Sequence, residues 1–263
     1  MIRTHLLVID PQIDFTDPSG SLYVNGANDD MKRLAAFIKK NKAKLFDIHV
    51  TLDSHHVFQV FHPLFWKDTN GKHPAPFTRI TQDDIEKGTW TPSIPAMRDR
   101  ALEYVKTLAS NNRYQLIIWP EHCLIGSRGT QVLPELFEAL TEWEKESIGM
   151  VDYVTKGSNL YTEHYSAVKA EVPDPADAST QLNQQLIDLL TEADVILVAG
   201  EALDYCVYNT LKDIISAFGP DNAKKIKIMK DCTSAIDPSA IAKIEAEFKS
   251  HGVEFVDTSY FDK

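Results

Sequence analysis

Continuous apolar runs that alternate with amphipathic helical patterns constrain the fold of this 263-residue chain more than any other feature. The run THLLVID near the amino terminus is apolar throughout its centre and ends in an acid, as expected of a strand buried on both faces of a parallel sheet. Comparable runs follow at FDIHVTLD, YQLIIWP, VDYVTKG, DVILVAG and KIKIMKD, with a weaker one at VEFVD. This pattern predicts a mostly parallel central sheet of about six strands.

Helical spacing of apolar residues separates these runs. The clearest stripes are Met31, Leu34, Ala35, Ile38 and Leu45, then Leu182, Leu186, Leu189, Leu190 and Ala193, and finally Ile241, Ile244 and Phe248. Strand–helix–strand units are right-handed and place their helices on both faces of a parallel sheet. We therefore predict a single three-layer α/β/α domain over residues 1–263.

Composition excludes several classes of partner. No apolar run approaches the ~20 residues that span a bilayer, and the amino terminus turns polar too early for a secretory signal. The formal charge is −11, and the basic residues are spread along the chain, which argues against nucleic acid and anionic membranes as partners. The three cysteines are widely separated and odd in number, which favours a reducing compartment over a disulfide framework. We expect a cytoplasmic protein with a small-molecule ligand; a homo-oligomer stays possible.

The predicted strand ends carry chemically active side chains. In open parallel sheets, ligands bind beyond the carboxyl ends of the strands. Each residue taken alone has an ordinary structural explanation, because an acid after a strand often caps a turn and a buried cysteine usually packs as a small apolar group. Their convergence on one edge nevertheless favours a catalytic site. The residues concerned are Asp10, Asp53, His55, His122, Lys156 and Cys206.

The motifs around these residues resemble the nicotinamidase branch of the isochorismatase-like cysteine hydrolases. In the family's order they are VIDPQIDF, LDSHH, WPEHCLIGSRGT, YVTKG and GEALDYCV. The pair DSH and WPEHC favours the metal-binding amidase branch over the isochorismatase branch. The resemblance covers most of the chain, and the exception is the segment from about Phe61 to Arg113, which we interpret as an insertion.

The resemblance implies a cysteine mechanism. Cys206 is the expected nucleophile, and we expect the start of a helix and the ammonium of Lys156 to lower the pKa of its thiol. Asp10 is the expected general base that takes the thiol proton and returns it to the departing amine. The backbone N–H groups of Ala202 and Cys206 are expected to form the oxyanion hole, with a cis peptide between Glu201 and Ala202.

The resemblance also implies one divalent transition metal ion, held by Asp53, His55 and His122. Carboxylate and imidazole ligands suit Zn²⁺, our first expectation, and also Fe²⁺ or Mn²⁺. In the family this ion orients the ring nitrogen of the substrate and an ordered water. A fourth ligand stays open between His56 and His62, although we interpret His62 as a packed loop histidine in preference to a ligand.

Three aromatic residues are candidates for substrate contact. Trp119 and Phe15 are expected to stack on a flat heteroaromatic ring, and Tyr205 is expected to shape the pocket. Core packing is the alternative role, especially for Phe15. We interpret Cys123 and Cys232 as structural thiols.

The predicted activity is hydrolysis of the linear C–N bond of a small carboxamide through a thioester, with nicotinamide to nicotinate and ammonia, a step of NAD salvage, as the leading example. One alternative is another hydrolase of this superfamily that acts on a ureido or carbamoyl compound. A second is a non-catalytic ligand-binding or thiol-sensing protein of the same fold. For the inserted segment, we hypothesise that it covers the site and that Trp66 and Trp90 influence substrate choice.

Overall fold

The computed structural model describes residues 2–111 and 114–262. The limits of the predicted domain, Met1 and Lys263, and the last two residues of the predicted insertion, Asn112 and Arg113, lie outside them. The strands are β1 Thr4–Ile9, β2 Asp47–Asp53, β3 Trp66–Lys67, β4 Arg79–Ile80, β5 Thr91–Pro92, β6 Leu116–Ile117, β7 Asp152–Lys156, β8 Val195–Gly200, β9 Ile226–Met229 and β10 Glu254–Val256.

The α-helices separate and flank these strands. They are α1 Ile13–Thr16, α2 Ala27–Asn41, α3 Gln82–Lys87, α4 Arg98–Ser110, α5 Pro134–Ser147, α6 Gln184–Thr191, α7 Tyr208–Phe218, α8 Pro220–Ala223 and α9 Ile241–Ser250. A π-helix covers Leu203–Val207. Short 3₁₀ turns cover Lys42–Lys44, Pro63–Phe65, Pro95–Met97, Arg128–Thr130, Ala178–Thr180, Pro238–Ala240 and Tyr260–Asp262.

A six-stranded, wholly parallel sheet forms the centre of the molecule. Its order is β10-β9-β8-β1-β2-β7. From β1 the chain moves outward through β2 to β7, then returns to β8 on the other side of β1 and continues outward to β10. The strand order therefore reverses between β1 and β8, and open α/β sheets bind their ligands at such a point. The predicted parallel sheet is confirmed.

Two hydrophobic layers cover the sheet because the side chains of a buried strand alternate between its faces. Leu6 and Val8 of β1 belong to one core cluster, which includes buried residues of α2 and α5. Leu7 and Ile9 belong to the other, which includes buried residues of α4, α6, α7 and α9. The predicted three-layer α/β/α architecture is confirmed.

Two predicted helical stripes extend beyond their helices: Leu45 lies past α2, which ends at Asn41, and the second stripe begins too early. Leu182 is 46% exposed and precedes α6, which begins at Gln184. The side chain of Asn183 accepts a hydrogen bond from the N–H of Leu186 at 3.1 Å and so caps the helix after Leu182. Leu186 and Leu190 are buried as the pattern predicts.

The run YQLIIWP does not join the central sheet, which corrects the prediction. Only Leu116–Ile117 forms a strand, and it pairs antiparallel with β4. The backbone N–H of Ile118 donates to Thr78 and that of Trp119 to Phe61, so the run is bound to the inserted segment. The sixth strand of the sheet is instead β10, from the weaker run VEFVD.

The inserted segment packs on the molecule through a buried stripe of α4. Ala101, Tyr104, Val105 and Leu108 of that helix are buried, as their spacing predicts. Trp66 is fully buried, and its indole N–H donates to the carbonyl of Val60 at 2.7 Å. Within the described ranges, no helix is both long and apolar enough to cross a membrane.

Candidate active site

The ends of four neighbouring strands bring the predicted catalytic residues together at the point of strand reversal. Asp10 follows β1, and Cys206 lies in the π-helix that follows β8. Asp53 and Lys156 are the last residues of β2 and β7 and are partners in the register of those strands. All four side chains are buried.

Lys156 is the centre of this group. Its Nζ lies 2.9 Å from Asp10 Oδ2, and it also forms an ion pair with Asp53. It donates to the carbonyl of His164 at 2.9 Å and lies 3.8 Å from Cys206 Sγ. One ammonium therefore touches the acid and the thiol of the predicted triad as well as the first predicted metal ligand.

Burial and neighbouring charges act in opposite directions on the pKa of each of these groups. Burial alone would lower the pKa of Lys156, but the carboxylates of Asp10 and Asp53 outweigh it and hold that pKa well above its usual range. Burial raises the pKa of Asp10, and Lys156 offsets only part of that rise. Asp53 differs because Lys156 and His55 outweigh its burial and lower its pKa. The site holds an ammonium, an ionised Asp53 and a more basic Asp10.

The thiol environment differs from the prediction. Burial raises the pKa of Cys206 well above its usual range, and the attraction of Lys156 offsets this only in part. Cys206 is also the fourth residue of the π-helix and precedes α7, so it does not occupy the first turn of an α-helix. The raised pKa favours a protonated thiol at rest.

The three predicted metal ligands converge beside the triad. One ligand atom from each of Asp53, His55 and His122 lies within 4.8 Å of the other two. The Nδ1 of His55 donates to Gly157 at 2.9 Å and that of His122 to Pro120 at 2.8 Å, which leaves both Nε2 atoms for a ligand. Among the described residues, the buried His55 Nε2 has no hydrogen-bond partner. Two imidazoles and a carboxylate fit Zn²⁺, Fe²⁺ or Mn²⁺.

Backbone contacts explain how His122 reaches this cluster from outside the sheet. The N–H of His55 donates to Cys123 at 3.0 Å, and the N–H of Ile125 donates to the carbonyl of His55 at 3.0 Å. Gly157 permits the approach from the other side: its φ is +85°, and a Cβ there would lie 2.6 Å from His55 Cε1. The glycine of the YVTKG motif thus makes room for the imidazole of His55, a predicted metal ligand.

Of the two candidates for a fourth ligand, the structure favours His62. Its buried ring lies 5.7 Å from that of His55 and 5.6 Å from that of His122 between centroids. Its Nδ1 donates to His56 at 2.8 Å, and its Nε2 has no hydrogen-bond partner in the part of the chain that the structure describes. Burial lowers the pKa of His62 to about 4, which keeps the ring neutral. His56 itself is exposed.

A small cavity opens beside Cys206 and the predicted metal ligands. The predicted aromatic residues Phe15, Trp119 and Tyr205 all line it. The rings of Trp119 and Tyr205 are 5.3 Å apart and nearly perpendicular, at 88°. The remaining lining residues are Leu22, Val24, Asp53, His122, Glu163, Tyr165, Ala202 and Ile236.

Sequence reasoning missed two polar residues of this cavity. Glu163 is buried, which raises its pKa to about 7. The hydroxyl of Tyr165 accepts the indole N–H of Trp119 at 3.0 Å and so holds that ring. Both follow β7 in an irregular stretch where neither periodicity nor a strand end marks them. The only available signal was an acid and a tyrosine in the run TEHY, close behind the YVTKG motif.

The turn between β8 and the π-helix contains the expected cis peptide. The peptide between Glu201 and Ala202 is cis. The carboxyl of Glu201 accepts the N–H of Ser234 at 3.0 Å, and the carbonyl of Ser234 accepts the N–H of Leu203 at 2.8 Å. Two hydrogen bonds thus fix the turn that carries Ala202 into the cavity wall.

Neither predicted tryptophan of the insertion lines the cavity. Trp66 is fully buried in the core, and Trp90 is partly buried against the same core. None of the described residues between 61 and 111 lines the cavity. The segment instead approaches through Phe77, whose ring lies 6.0 Å from that of Trp119 at 87°. The segment also contacts the pocket through His62, beside His122, and through the hydroxyl of Tyr104, which accepts the N–H of Glu163 at 3.1 Å.

Comparisons with known proteins show that the chain is similar to nicotinamidases. No protein-family model matches the chain. The nicotinamidase of Saccharomyces cerevisiae (strain ATCC 204508 / S288c) is 28% identical over 255 residues, 96% of this chain and 98% of the relative. The crystal structure of the yeast nicotinamidase bound to the inhibitor nicotinaldehyde has a TM-score of 0.68 at 22% identity, covering 97% of this chain and 99% of that one. The pyrazinamidase of Pyrococcus horikoshii in complex with zinc has a TM-score of 0.59 at 18% identity, covering 97% and 99%. The resemblance to nicotinamidases and the α/β fold are confirmed.

Proposed function

We propose that this protein is a cysteine amidohydrolase that converts nicotinamide to nicotinate and ammonia. The observation that carries the proposal is the contact of Lys156 with both Asp10 and Cys206 beside an aromatic-lined cavity. The similarity to the yeast nicotinamidase over 96% of the chain supports the choice of substrate. We place the activity in the cytoplasm as a step of NAD salvage.

The first step in this proposal is proton transfer from the Cys206 thiol to Asp10. Burial gives Asp10 a raised pKa, which makes it a stronger base than an ordinary carboxylate. Lys156 stabilises the thiolate at 3.8 Å as it forms. The thiolate then attacks the amide carbonyl, and the N–H groups of Ala202 and Cys206 stabilise the oxyanion.

The second step releases ammonia. The tetrahedral adduct collapses as protonated Asp10 gives its proton to the leaving nitrogen, which leaves a thioester on Cys206 and an ionised Asp10. Asp10 next takes a proton from a water molecule that attacks the thioester. The acid product departs when that proton returns to the sulfur, and the resting thiol is restored.

Asp53, His55 and His122 would hold a divalent ion, with His62 as a candidate fourth ligand and Zn²⁺ as the proposed metal. Such an ion supplies a Lewis-acid contact that orients a ring nitrogen or a water. Trp119, held by Tyr165, and Phe15 would sandwich the flat ring and exclude water from it.

The test is ammonia release from nicotinamide, compared with a panel that includes aliphatic amides, ureido compounds and carbamoyl compounds. Mass spectrometry of an acid-quenched reaction should detect the nicotinoyl adduct on the peptide that contains Cys206. Turnover of a ureido or carbamoyl compound with no nicotinamide hydrolysis would assign the site to a different C–N hydrolase. Absence of turnover with every compound would favour a binding or sensing role.

A further inference from the structure

A second cluster of metal-binding side chains lies at the opposite edge of the sheet. His5 is near the start of β1, and Asp47 and His49 are in the first half of β2. One ligand atom from each lies within 4.8 Å of the other two. The active site occupies the carboxyl ends of the same two strands, so the two clusters are separated by the length of the sheet.

Strand pairing fixes this cluster in place. β1 and β2 run parallel, with His5 opposite Asp47 and Leu7 opposite His49. The two imidazoles are buried, with His5 only 2% and His49 0% exposed. Their nitrogens, Nδ1 of His5 and Nε2 of His49, are 3.0 Å apart. Two nitrogens bound to one tetrahedral ion at about 2.0–2.1 Å lie roughly 3.3–3.4 Å apart, so a separation of the rings by only about 0.3–0.4 Å makes room for the ion.

A carboxylate behind His49 completes the arrangement. Asp152, the first residue of β7, accepts a hydrogen bond from His49 Nδ1 at 2.9 Å. This bond places the proton of His49 on Nδ1 and its lone pair on Nε2, which faces His5. Metal-ligating histidines usually have such a carboxylate partner, because it fixes the tautomer and makes the ligand more basic.

Charge and access suit a cation. Burial lowers the pKa of His5, and His49 lowers it further, so His5 is neutral and available as a ligand. The side chain of Asp47 is 29% exposed and its Oδ2 lies 3.9 Å from His49 Nε2, so the third ligand faces solvent and offers a route of entry. Arg3 and Glu192 are the other charged groups near His5, and their effects on it are opposite in sign.

We propose that His5, Asp47 and His49 form a second metal site for a borderline divalent transition ion such as Zn²⁺, with Asp152 as the support of His49. When the ion binds, the proton of His5 moves from Nδ1 to Nε2, an atom that has no hydrogen-bond partner among the described residues. The ion would join β1, β2 and, through Asp152, β7 at the edge away from the cavity. This site does not depend on the proposed reaction.

The experiment counts Zn²⁺ on the full-length protein. Metal-free protein is equilibrated with Zn²⁺ at a buffered free concentration, and bound zinc is measured per chain. We expect about two ions for the wild type. His122→Ala should lose one ion, and Asp47→Asn or His49→Gln should lose the other. Glu192→Gln is the matched control, because it removes a nearby negative charge without removing a ligand, and it should keep both.

Asp47→Asn is the decisive variant because Asp47 is partly exposed and the hydrogen bond between His5 and His49 survives its replacement. It should retain nicotinamide hydrolysis while it binds one ion fewer. Equal zinc content in Asp47→Asn, His49→Gln and wild type would overturn the proposal. Anomalous diffraction from zinc-soaked wild-type crystals needs no variant: a peak between His5 and His49 supports the site, and a peak only at His55 and His122 refutes it. Loss of nicotinamide hydrolysis with both ions retained would count against the proposed function alone.

Discussion

Replacement of Asp10 by Asn tests the central assignment, that Asp10 is the base for a thiol that is neutral at rest. Asn has the same shape, and its amide oxygen can still accept the hydrogen bond that Thr51 Oγ1 donates to Asp10 at 2.6 Å. Lys156 keeps its ion pair with Asp53. We therefore expect the variant to fold and to bind substrate while it loses the proton acceptor.

The expected loss of kcat is large because the Cys206 thiol has a raised pKa and does not ionise unaided. General acid–base catalysis contributes about 10²–10⁴-fold. We expect the upper half of that range, about 10³–10⁴-fold, or about 4–5 kcal/mol of activation free energy. The nearest other carboxylate, Asp53, is held ionised by Lys156 and His55, and its lowered pKa makes it a poor substitute base.

The pH dependence of the rate distinguishes catalysis by Asp10 from direct ionisation of the thiol. Asp10 acts when ionised and its pKa is raised, so wild-type kcat/KM should fall as the pH drops through a value above the ordinary ~4 of an aspartate. In Asp10→Asn this acidic limb should disappear. The residual rate should instead rise with pH, because it depends on direct ionisation of the thiol.

The assay is ammonia release from nicotinamide between mildly acidic and alkaline pH, with circular dichroism to verify folding. The matched control is Asp14→Asn, since Asp14 is a buried acid that binds the N–H of Cys123 and has no contact with Lys156. That variant should be less stable and keep the acidic limb. If Asp10→Asn retained kcat within tenfold of wild type together with the limb, Asp10 would not be the base.

Further predictions concern the thiol and the metal. Cys206→Ala should abolish turnover in a folded protein, whereas Cys123→Ala and Cys232→Ala should retain most activity; equal losses in an ammonia assay would show that the nucleophile is misassigned. Lys156→Ala should slow alkylation of Cys206 by iodoacetamide, because loss of the cation raises the thiol pKa further, and an unchanged rate would contradict this. His122→Ala, or chelation of wild-type protein, should lower both bound zinc and kcat/KM, and full activity in zinc-free protein would exclude a role for the ion.

The positions of the catalytic side chains could be predicted because they depend on backbone rules. A continuous apolar run identifies a strand buried on both faces, and parallel strands end at one edge. Asp10 and Asp53 each terminate such a run, and Lys156 ends the partly exposed edge strand β7, so their convergence followed once the strands were recognised. Cys206 followed from the turn after β8. The pairing order of the strands was not needed for this inference.

Properties that depend on partners from elsewhere in the chain could not be read in the same way. YQLIIWP has the composition of a buried strand, but apolar composition reports burial and leaves the pairing partner open. Its backbone bonds go to Phe61 and Thr78 of the inserted segment. The thiol pKa of Cys206 likewise depends on the depth of burial, which competes with the nearby Lys156 and has no local signature.

The last prediction concerns the inserted segment. Phe77 of this segment contacts Trp119, which lines the cavity, whereas Trp66 does not line it. Trp66 is fully buried and hydrogen-bonded to Val60, so Trp66→Ala should cost about 3–5 kcal/mol of unfolding free energy.

Trp66→Ala should leave the ratio of kcat/KM between nicotinamide and bulkier aromatic amides unchanged, because Trp66 does not line the cavity. Phe77 is 60% exposed, and its ring is nearly perpendicular to that of Trp119. Because Phe77 is so exposed, Phe77→Ala should lower the free energy of unfolding only slightly. Loss of that contact frees the Trp119 ring to shift and should raise the relative kcat/KM of the bulkier amides. Chemical denaturation and a substrate panel on both variants measure the two effects. A changed ratio in Trp66→Ala with an unchanged ratio in Phe77→Ala would show that the segment acts on the pocket by another route.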